Sequence, residues 1–204
     1  MDSIINRFKG IPTTCISDAM QGLNNLDFSI KPVKESFKVV GRALTVKLSA
    51  GDNLVVLKAI REAKPGDILV VDAKGDTYRA IAGDFVVGMA KIVGIVGIVV
   101  DGVIRDCAGI KQLDIPVFCR GTTVAASGKG GLGEFKVPIS CGGVTIHPGD
   151  LVIGDIDGVV VIPQNDEEEI LRKSLDKFKK DEERAERVLS SPEDVRNYIG
   201  ELLK

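Results

Sequence analysis

From Val39 to Leu48 apolar and polar positions alternate with the two-residue period of a strand that buries one face. Asn53 to Ala63 then changes to the three-to-four spacing of a helix, and Ile68 to Val71 is a short apolar run that reads as a second strand. Asp84 to Lys91 has little polar alternation and suits a short helix, with Gly83 allowing close backbone approach. Residues 92–100 form an unbroken β-branched and glycine run, which predicts a strand buried on both faces. Strands and helices in this order predict an α/β core. Ahead of it, a helix is expected from about Ser17 to Gln21, with Gly22 as its stop and an Asn24-Asn25 turn after it.

A turn-and-strand element occurs twice. Pro65-Gly66-Asp67-Ile68-Leu69-Val70-Val71-Asp72 is echoed by Pro148-Gly149-Asp150-Leu151-Val152-Ile153-Gly154-Asp155, and Pro-Gly at the centre suits a type II turn. The echo points to stacked β layers but is too short for a repeat architecture. After Pro163 the composition becomes charge-rich. Gln164-Asn165-Asp166 can cap a helix in which Leu171, Leu175, Phe178, Ala185 and Leu189 form a narrow apolar stripe. Ser191-Pro192 opens a last helix, with Ser as N-cap and Pro at the first helical position. The chain thus reads as an α/β domain over 1–163 and a helical appendage over 164–204, packing on its own core or on a neighbouring subunit.

Composition removes several function classes. Lys and Arg number 27 against 29 Asp and Glu, a net charge of −2, with two Tyr, seven Phe and no Trp. No basic, aromatic-interleaved face is available for direct nucleic-acid binding. The run at 92–100 ends in Asp101, too short for a membrane span, and no cleavable signal pattern is evident, so a cytoplasmic location is expected. Cys15, Cys107, Cys119 and Cys141 lack C-x-x-C spacing, which argues for free thiols over structural zinc. Cys107 follows Asp106 and is a candidate nucleophile, though no partner histidine accompanies it. His147, the single histidine, precedes Pro148 in a turn and is a poor catalytic base. Gly128-Lys129-Gly130-Gly131-Leu132-Gly133 matches G-x-G-x-x-G formally, but strand-like Glu134 to Pro138 follows where a dinucleotide fold needs a helix. A mobile loop is expected there, with Lys129 as a candidate substrate contact.

The chemistry concentrates between Gly83 and Asp106. The first amides of the expected helix, at Phe85 and Val86, could hold a carboxylate, and Arg105 could grip it with paired donors beyond the end of the buried strand. Asp106 offers a hard oxygen to a divalent cation. Asp84 and Asp106 could equally be helix N-caps, and an Arg-Asp pair after a strand could be a solvated turn.

Gly83-Asp84-Phe85-Val86, a further 18 residues and then Arg105-Asp106 resemble the signature of the family of 4-hydroxy-4-methyl-2-oxoglutarate aldolase and the regulator of ribonuclease E activity A, the RraA-like family. Thr13 to Ala19, Gly41 to Val46, Pro116 to Gly121, Val137-Pro138-Ile139, Pro148-Gly149-Asp150 and Asp155 to Val159 follow the family's order, so the likeness covers about residues 8–163. The resemblance implies a swivelling β/β/α sandwich-like α/β fold. It implies a lyase that cleaves 4-hydroxy-4-methyl-2-oxoglutarate-like 2-oxo acids to pyruvate, with oxaloacetate decarboxylation as a side activity. Carried over, Gly83, Asp84, Phe85, Val86 and Arg105 bind substrate. Arg105, Asp106 and Asp84 are the catalytic set, and Asp106 ligates magnesium or manganese. A homotrimeric ring, possibly paired into a hexamer, is implied, with the site near a subunit interface. The family's other branch implies a non-catalytic regulator that binds ribonuclease E or a helicase. Family aldolases usually carry Glu or Asp three residues after the metal aspartate, and this chain has Gly109 there.

Overall fold

Three strand–helix–strand units build the frame of the molecule, whose computed structural model describes residues 3–204. Two short helices, α1 (Ser3–Phe8) and α2 (Thr13–Ala19), and strand β1 (Lys31–Pro32) precede it. The frame is β2 (Val39–Leu48), α3 (Leu54–Arg61), β3 (Asp67–Asp76), α4 (Asp84–Ile92), β4 (Gly97–Ile104), α5 (Cys107–Leu113) and β5 (Val117–Thr122). Strands β2, β3, β4 and β5 run parallel to their neighbours. Then come β6 (Gly133–Phe135), the hairpin β7 (Ile139–Cys141) and β8 (Val144–Ile146), and the antiparallel pair β9 (Leu151–Asp155) and β10 (Gly158–Ile162). A 3₁₀ turn at Gln164–Asp166 leads into α6 (Glu167–Val188) and α7 (Pro192–Leu202).

The large sheet has the order β1-β5-β4-β3-β2-β9-β10, with β6 pairing beside β2. It curls into a nearly closed barrel. A Cβ built on Gly154 of β9 would lie 2.7 Å from the ring of Phe118 on β5, although three strands separate the two in the sheet. Val39, Val70, Val99, Phe118, Val152 and Val161 fill the inner face, closed by Ile139, Cys141 and Ile146 of the hairpin. The outer face carries α3, α4 and α5 over Leu69, Val71, Ile98 and Val100. The mixed α/β architecture with C-terminal helices is the one the sequence led us to expect, and the structure adds that the large sheet of the β/β/α arrangement is nearly closed.

Several boundaries move, each for a physical reason. β2 falls where alternation put it, whereas the 92–100 run does not begin a strand at its start. Ile92 ends α4, Gly94 turns the chain at φ +95°, and β4 starts at Gly97, so Asp101 lies inside the strand. A short apolar run has no period that separates helix end from strand. α2 begins at Thr13 and not Ser17, because the Asp155 carboxylate takes the Thr13 amide at 2.9 Å and its hydroxyl at 2.6 Å. No local signal announces a cap that arrives from β9. Gly66 and Gly149 occupy positive φ, +97° and +90°, as the twin Pro-Gly turns require.

In the C-terminal segment Asp166 holds the N-cap position of α6 but its side chain makes no capping bond, whereas Ser191 caps α7 by accepting the Asp194 amide at 3.1 Å. Of the predicted apolar stripe Leu171 is buried and Phe178 partly so. Ile170 and Leu171 join Phe8, Ile16, Leu151 and Ile162, and Arg42 pairs with Glu167, while Leu175 and Leu189 are exposed and α7 buries no residue. No helix among the described residues is long and apolar enough to cross a membrane.

Candidate active site

In an open parallel arrangement the loops beyond the carboxyl ends of the strands meet on one side, where ligands gather. Here four such segments do so. Asn53 follows β2, Ala80 to Val86 follow β3, Arg105 and Asp106 follow β4, and Ala126 to Lys129 follow β5. Together they enclose a cleft of about 220 Å³. Backbone bonds fix the walls: Ile81 donates to Val103 O at 2.9 Å, Arg105 to Ala82 O at 3.0 Å and Ala80 to Ala125 O at 2.9 Å.

Arg105 Nε lies 3.2 Å from Asp106 Oδ2, and each side chain is somewhat over two-fifths exposed. Asp106 sits at the N-cap position of α5 in the left-handed conformation, φ 57°, yet its carboxylate caps nothing. It rests instead against Gly83. A Cβ at Gly83 would come within 2.3 Å of Asp106 Oδ2 and 3.3 Å of Arg105 Cγ. The glycine is therefore needed for space. Its own φ of −122° and ψ of −174° are open to any residue.

Gly83, not Asp84, is the N-cap residue of α4. Asp84 begins the helix, and its Oδ1 accepts the Phe85 amide at 2.7 Å, so of the two amides expected to be free one is engaged. The Asp84 carboxylate leans on α5: a Cβ at Gly109 would meet Asp84 Oδ2 at 2.6 Å and its Cβ at 2.8 Å. The missing acid at 109 and the position of Asp84 are thus linked, because one side chain occupies the room the other would need. The Phe85 ring is 77% exposed and, with Asp84 and Gly109, also borders a separate apolar groove of about 980 Å³ walled by Leu57, Ile60, Met89, Ile92 and Leu113.

Lys129 reaches the cleft, as its loop is tied down and not left free. Gly131 donates to Asp52 Oδ2 at 2.8 Å, Gly128 to Gly51 O at 2.8 Å and Asn53 to Gly128 O at 3.2 Å. Among the described residues Lys129 forms no ion pair. Asn53 and Ser127 were missed by sequence reasoning. The available signal was the polar triplet Gly51-Asp52-Asn53 between a predicted strand and a predicted helix, the kind of junction that faces a ligand in α/β sheets.

All four cysteines are free. Burial pushes the Cys107 thiol above its ordinary value and neighbouring Asp106 adds to the shift, which makes it a poor nucleophile at neutral pH. His147 is exposed and stands apart from the residues that line the cleft. No three His, Cys, Asp or Glu side chains cluster as a metal-binding set among the described residues.

Comparison with known proteins adds to this geometry. The family described as RraA-like, Aldolase/RraA, matches residues 13–161. A Halalkalibacterium halodurans protein provisionally named 4-hydroxy-4-methyl-2-oxoglutarate aldolase is 56% identical over 199 residues, covering 98% of this chain and 95% of its own. A Streptomyces coelicolor structure, described as an unusual member of the RNase ES inhibitor RraA family, superposes with a TM-score of 0.79 at 30% identity, covering 92% of this chain and 99% of its own. The Thermus RNA-processing inhibitor RraA gives a TM-score of 0.69 at 30% identity, covering 74% of this chain and 92% of its own. With the family's pattern matching most of the chain and the fold shared by its solved structures, this protein belongs to the RraA-like family.

Proposed function

We propose that this chain is a lyase that cleaves 4-hydroxy-4-methyl-2-oxoglutarate-like 2-oxo acids to pyruvate, with magnesium or manganese as cofactor and oxaloacetate decarboxylation as a side activity. The observation that carries the reading is the meeting of two cationic side chains, Arg105 and Lys129, with two carboxylates, Asp106 and Asp84, on the walls of a single small cleft. A 2-oxo diacid presents two carboxylates and a keto oxygen. Arg105 suits the carboxylate beside the keto group, since its planar fork gives paired hydrogen bonds, and Lys129 suits the distal one. Asp84 holds the turn at Phe85 through its own carboxylate and so fixes the Gly83 to Val86 wall that faces the ligand.

Asp106 fits a divalent cation by its donor chemistry. Magnesium is commonly held by one or two carboxylates, with substrate and water completing the shell, and Gly83 leaves the space in which this carboxylate stands. Bound there, the cation would supply positive charge where negative charge develops. In the cleavage the C4 hydroxyl loses its proton, the C3–C4 bond breaks, and its electron pair moves into C2–C3. C4 becomes the carbonyl of one pyruvate, and protonation at C3 completes the second. Decarboxylation of oxaloacetate leaves the same enolate, so no further machinery is needed for it.

The apolar groove beside the cleft supports assembly into a ring, which we propose to be a homotrimer or a pair of trimers. Exposed Phe85 and Ile92 would there be covered by a second copy. A coupled pyruvate-release assay over a panel of 2-oxo acids tests the lyase, with and without EDTA. Release that stops on chelation and returns with magnesium is expected. Full activity after thorough chelation would remove the metal, and no pyruvate from any substrate, together with capture of ribonuclease E, would favour the regulatory role that the names of the RraA structures describe.

A further inference from the structure

Asn53 stands where a helix N-cap belongs and does not cap. The neighbouring Asp52 does that work, its Oδ1 accepting the Leu54 amide at 2.8 Å while its Oδ2 holds Gly131 at 2.8 Å. Asn53 is therefore released from the usual duty of its position. Its Nδ2 donates to Ile81 O at 3.0 Å, and its Oδ1 is buried without a partner, the one such side-chain atom among the described residues. Turning the amide over would not help, because Oδ1 would then face the Ile81 carbonyl oxygen, two acceptors with no proton between them. Ile81 in turn donates its amide to Val103 O at 2.9 Å, which ties down the segment that Asn53 holds.

Unpaired buried acceptors are costly and in native structures call for an explanation. This one belongs to a residue that lines the cleft with Arg105, Asp106 and Lys129. Its partner must be a donor, and because Oδ1 is closed to water while Asn53 lines the cleft, a group that enters the cleft meets it through a small turn of the Asn53 side chain. An ionised 2-oxo diacid offers acceptors almost everywhere. Its carboxylates and keto group carry no proton to give, and the hydroxyl at C4 is the single donor on the molecule.

We propose that Asn53 is a specificity-determining residue whose Oδ1 accepts the hydrogen bond of the substrate's C4 hydroxyl, so that the cleft selects hydroxylated diacids over their deoxy counterparts. This rests on the lyase reading for the identity of the ligand. The amide reads the hydroxyl in the bound complex and is too weak a base to remove its proton; in the cleavage that proton passes from the hydroxyl to water and is balanced by the proton taken up at C3. Selection of this sort is strong because the wrong ligand leaves the acceptor buried and unpaired.

The test uses two diacids that differ by one hydroxyl and cannot be cleaved, having no ketone to receive the electron pair: 2-hydroxy-2-methylglutarate and 2-methylglutarate. Each is titrated calorimetrically into the full chain with magnesium present. The parent should bind the hydroxylated acid about tenfold more tightly or better, and Asn53→Ala should bring that ratio to about one. The ratio is read within each protein, so a general loosening of the cleft, which weakens both acids alike, does not move it. Asn53→Ser keeps a small polar side chain at the helix start but removes the amide oxygen and should lose the preference as Asn53→Ala does; this variant decides the matter if Asn53→Ala does not fold. Equal affinity for the two acids in the parent, binding of neither, or a preference that survives in Asn53→Ala overturns the proposal. Failure of the lyase reading shows separately, as absence of pyruvate in the parent's assay while the hydroxyl preference persists.

Discussion

Gly83→Ala is the sharpest probe of the site, because it adds one methyl group and asks the Asp106 carboxylate to move. The new Cβ would lie 2.3 Å from Asp106 Oδ2, and contacts under 3.0 Å essentially never occur, so the oxygen must retreat by at least 0.7 Å, the difference between the two. Arg105 Cγ at 3.3 Å must also give slightly. The backbone has no objection, since φ is −122°. Alanine lowers the entropy of the unfolded chain, worth about 0.4–1 kcal/mol, and loses roughly as much as a helix N-cap. Net stability should therefore stay within about 1 kcal/mol, a melting shift of roughly 2–4 °C in a chain of this size. Function should not be spared. A misplacement approaching 1 Å costs on the order of a hundredfold in rate, which corresponds to about 2.7 kcal/mol of transition-state stabilisation. Pyruvate release and calorimetric magnesium titration measure both halves of the expectation, with Gly200→Ala, whose Cβ meets nothing within 4 Å, as the control for the substitution itself. A Gly83→Ala protein with kcat/KM within threefold of the parent and unaltered metal binding would refute the reasoning.

The other expectations touch separate parts of the molecule. Arg105→Lys keeps charge but loses the planar fork, so substrate binding and turnover should fall roughly ten- to hundredfold while metal affinity survives; Asp106→Asn should lose metal binding and turnover together, and normal magnesium titration of Asp106→Asn would sink its assignment. Burial raises the Cys119 thiol from 9.0 to about 11, and burial likewise raises Cys141. The folded state thus favours the protonated thiol, so this stabilisation is complete below pH 9 and lost as pH climbs through 11, about 2.7 kcal/mol for a two-unit shift. Denaturant titrations should show that decline, and Cys119→Ser should flatten part of it; an unchanged slope would contradict the assignment. Light scattering should read a trimer or hexamer, with Ile92→Glu, at a position 87% exposed, shifting it toward monomer; a parent active as a monomer would exclude the ring.

Much of the frame could be read from the chain because it rests on local periodicity. The alternation over β2, the helical spacing over α3 and the Pro-Gly turns each follow from residues within a few positions of one another. What escaped notice depends on partners distant in sequence. The early start of α2 needs Asp155, 142 residues away. The exposure of Leu175 and Leu189 could not be inferred from an apolar stripe that records only what a helix is able to bury. The site divides along the same line. Arg105 and Asp106 are visible as a charged pair beyond a buried strand and Lys129 as a candidate contact in a glycine-rich loop, whereas Asn53 joins them only when the end of β2 is brought beside those of β3 and β4.

Gly109 shows how one departure from a family pattern is intelligible only through such a partner. Read along the chain, it is a missing carboxylate. In space, the room for a side chain at 109 is filled by Asp84, which arrives from the preceding helix with its Oδ2 2.6 Å from where a Cβ would stand. Two carboxylates crowded there would repel each other, so restoring an acid at 109 should destabilise the protein and not complete the site. The coupling is testable as a cycle. Gly109→Glu alone should lower the melting temperature, and Asp84→Ala should relieve part of that loss, because it removes the opposing charge and the carboxylate contact at 2.6 Å while the Cβ contact at 2.8 Å remains. If the two effects simply add, the glycine and the aspartate are independent, and the absence of an acid at 109 is then a plain deletion with no compensating group across the helix pair.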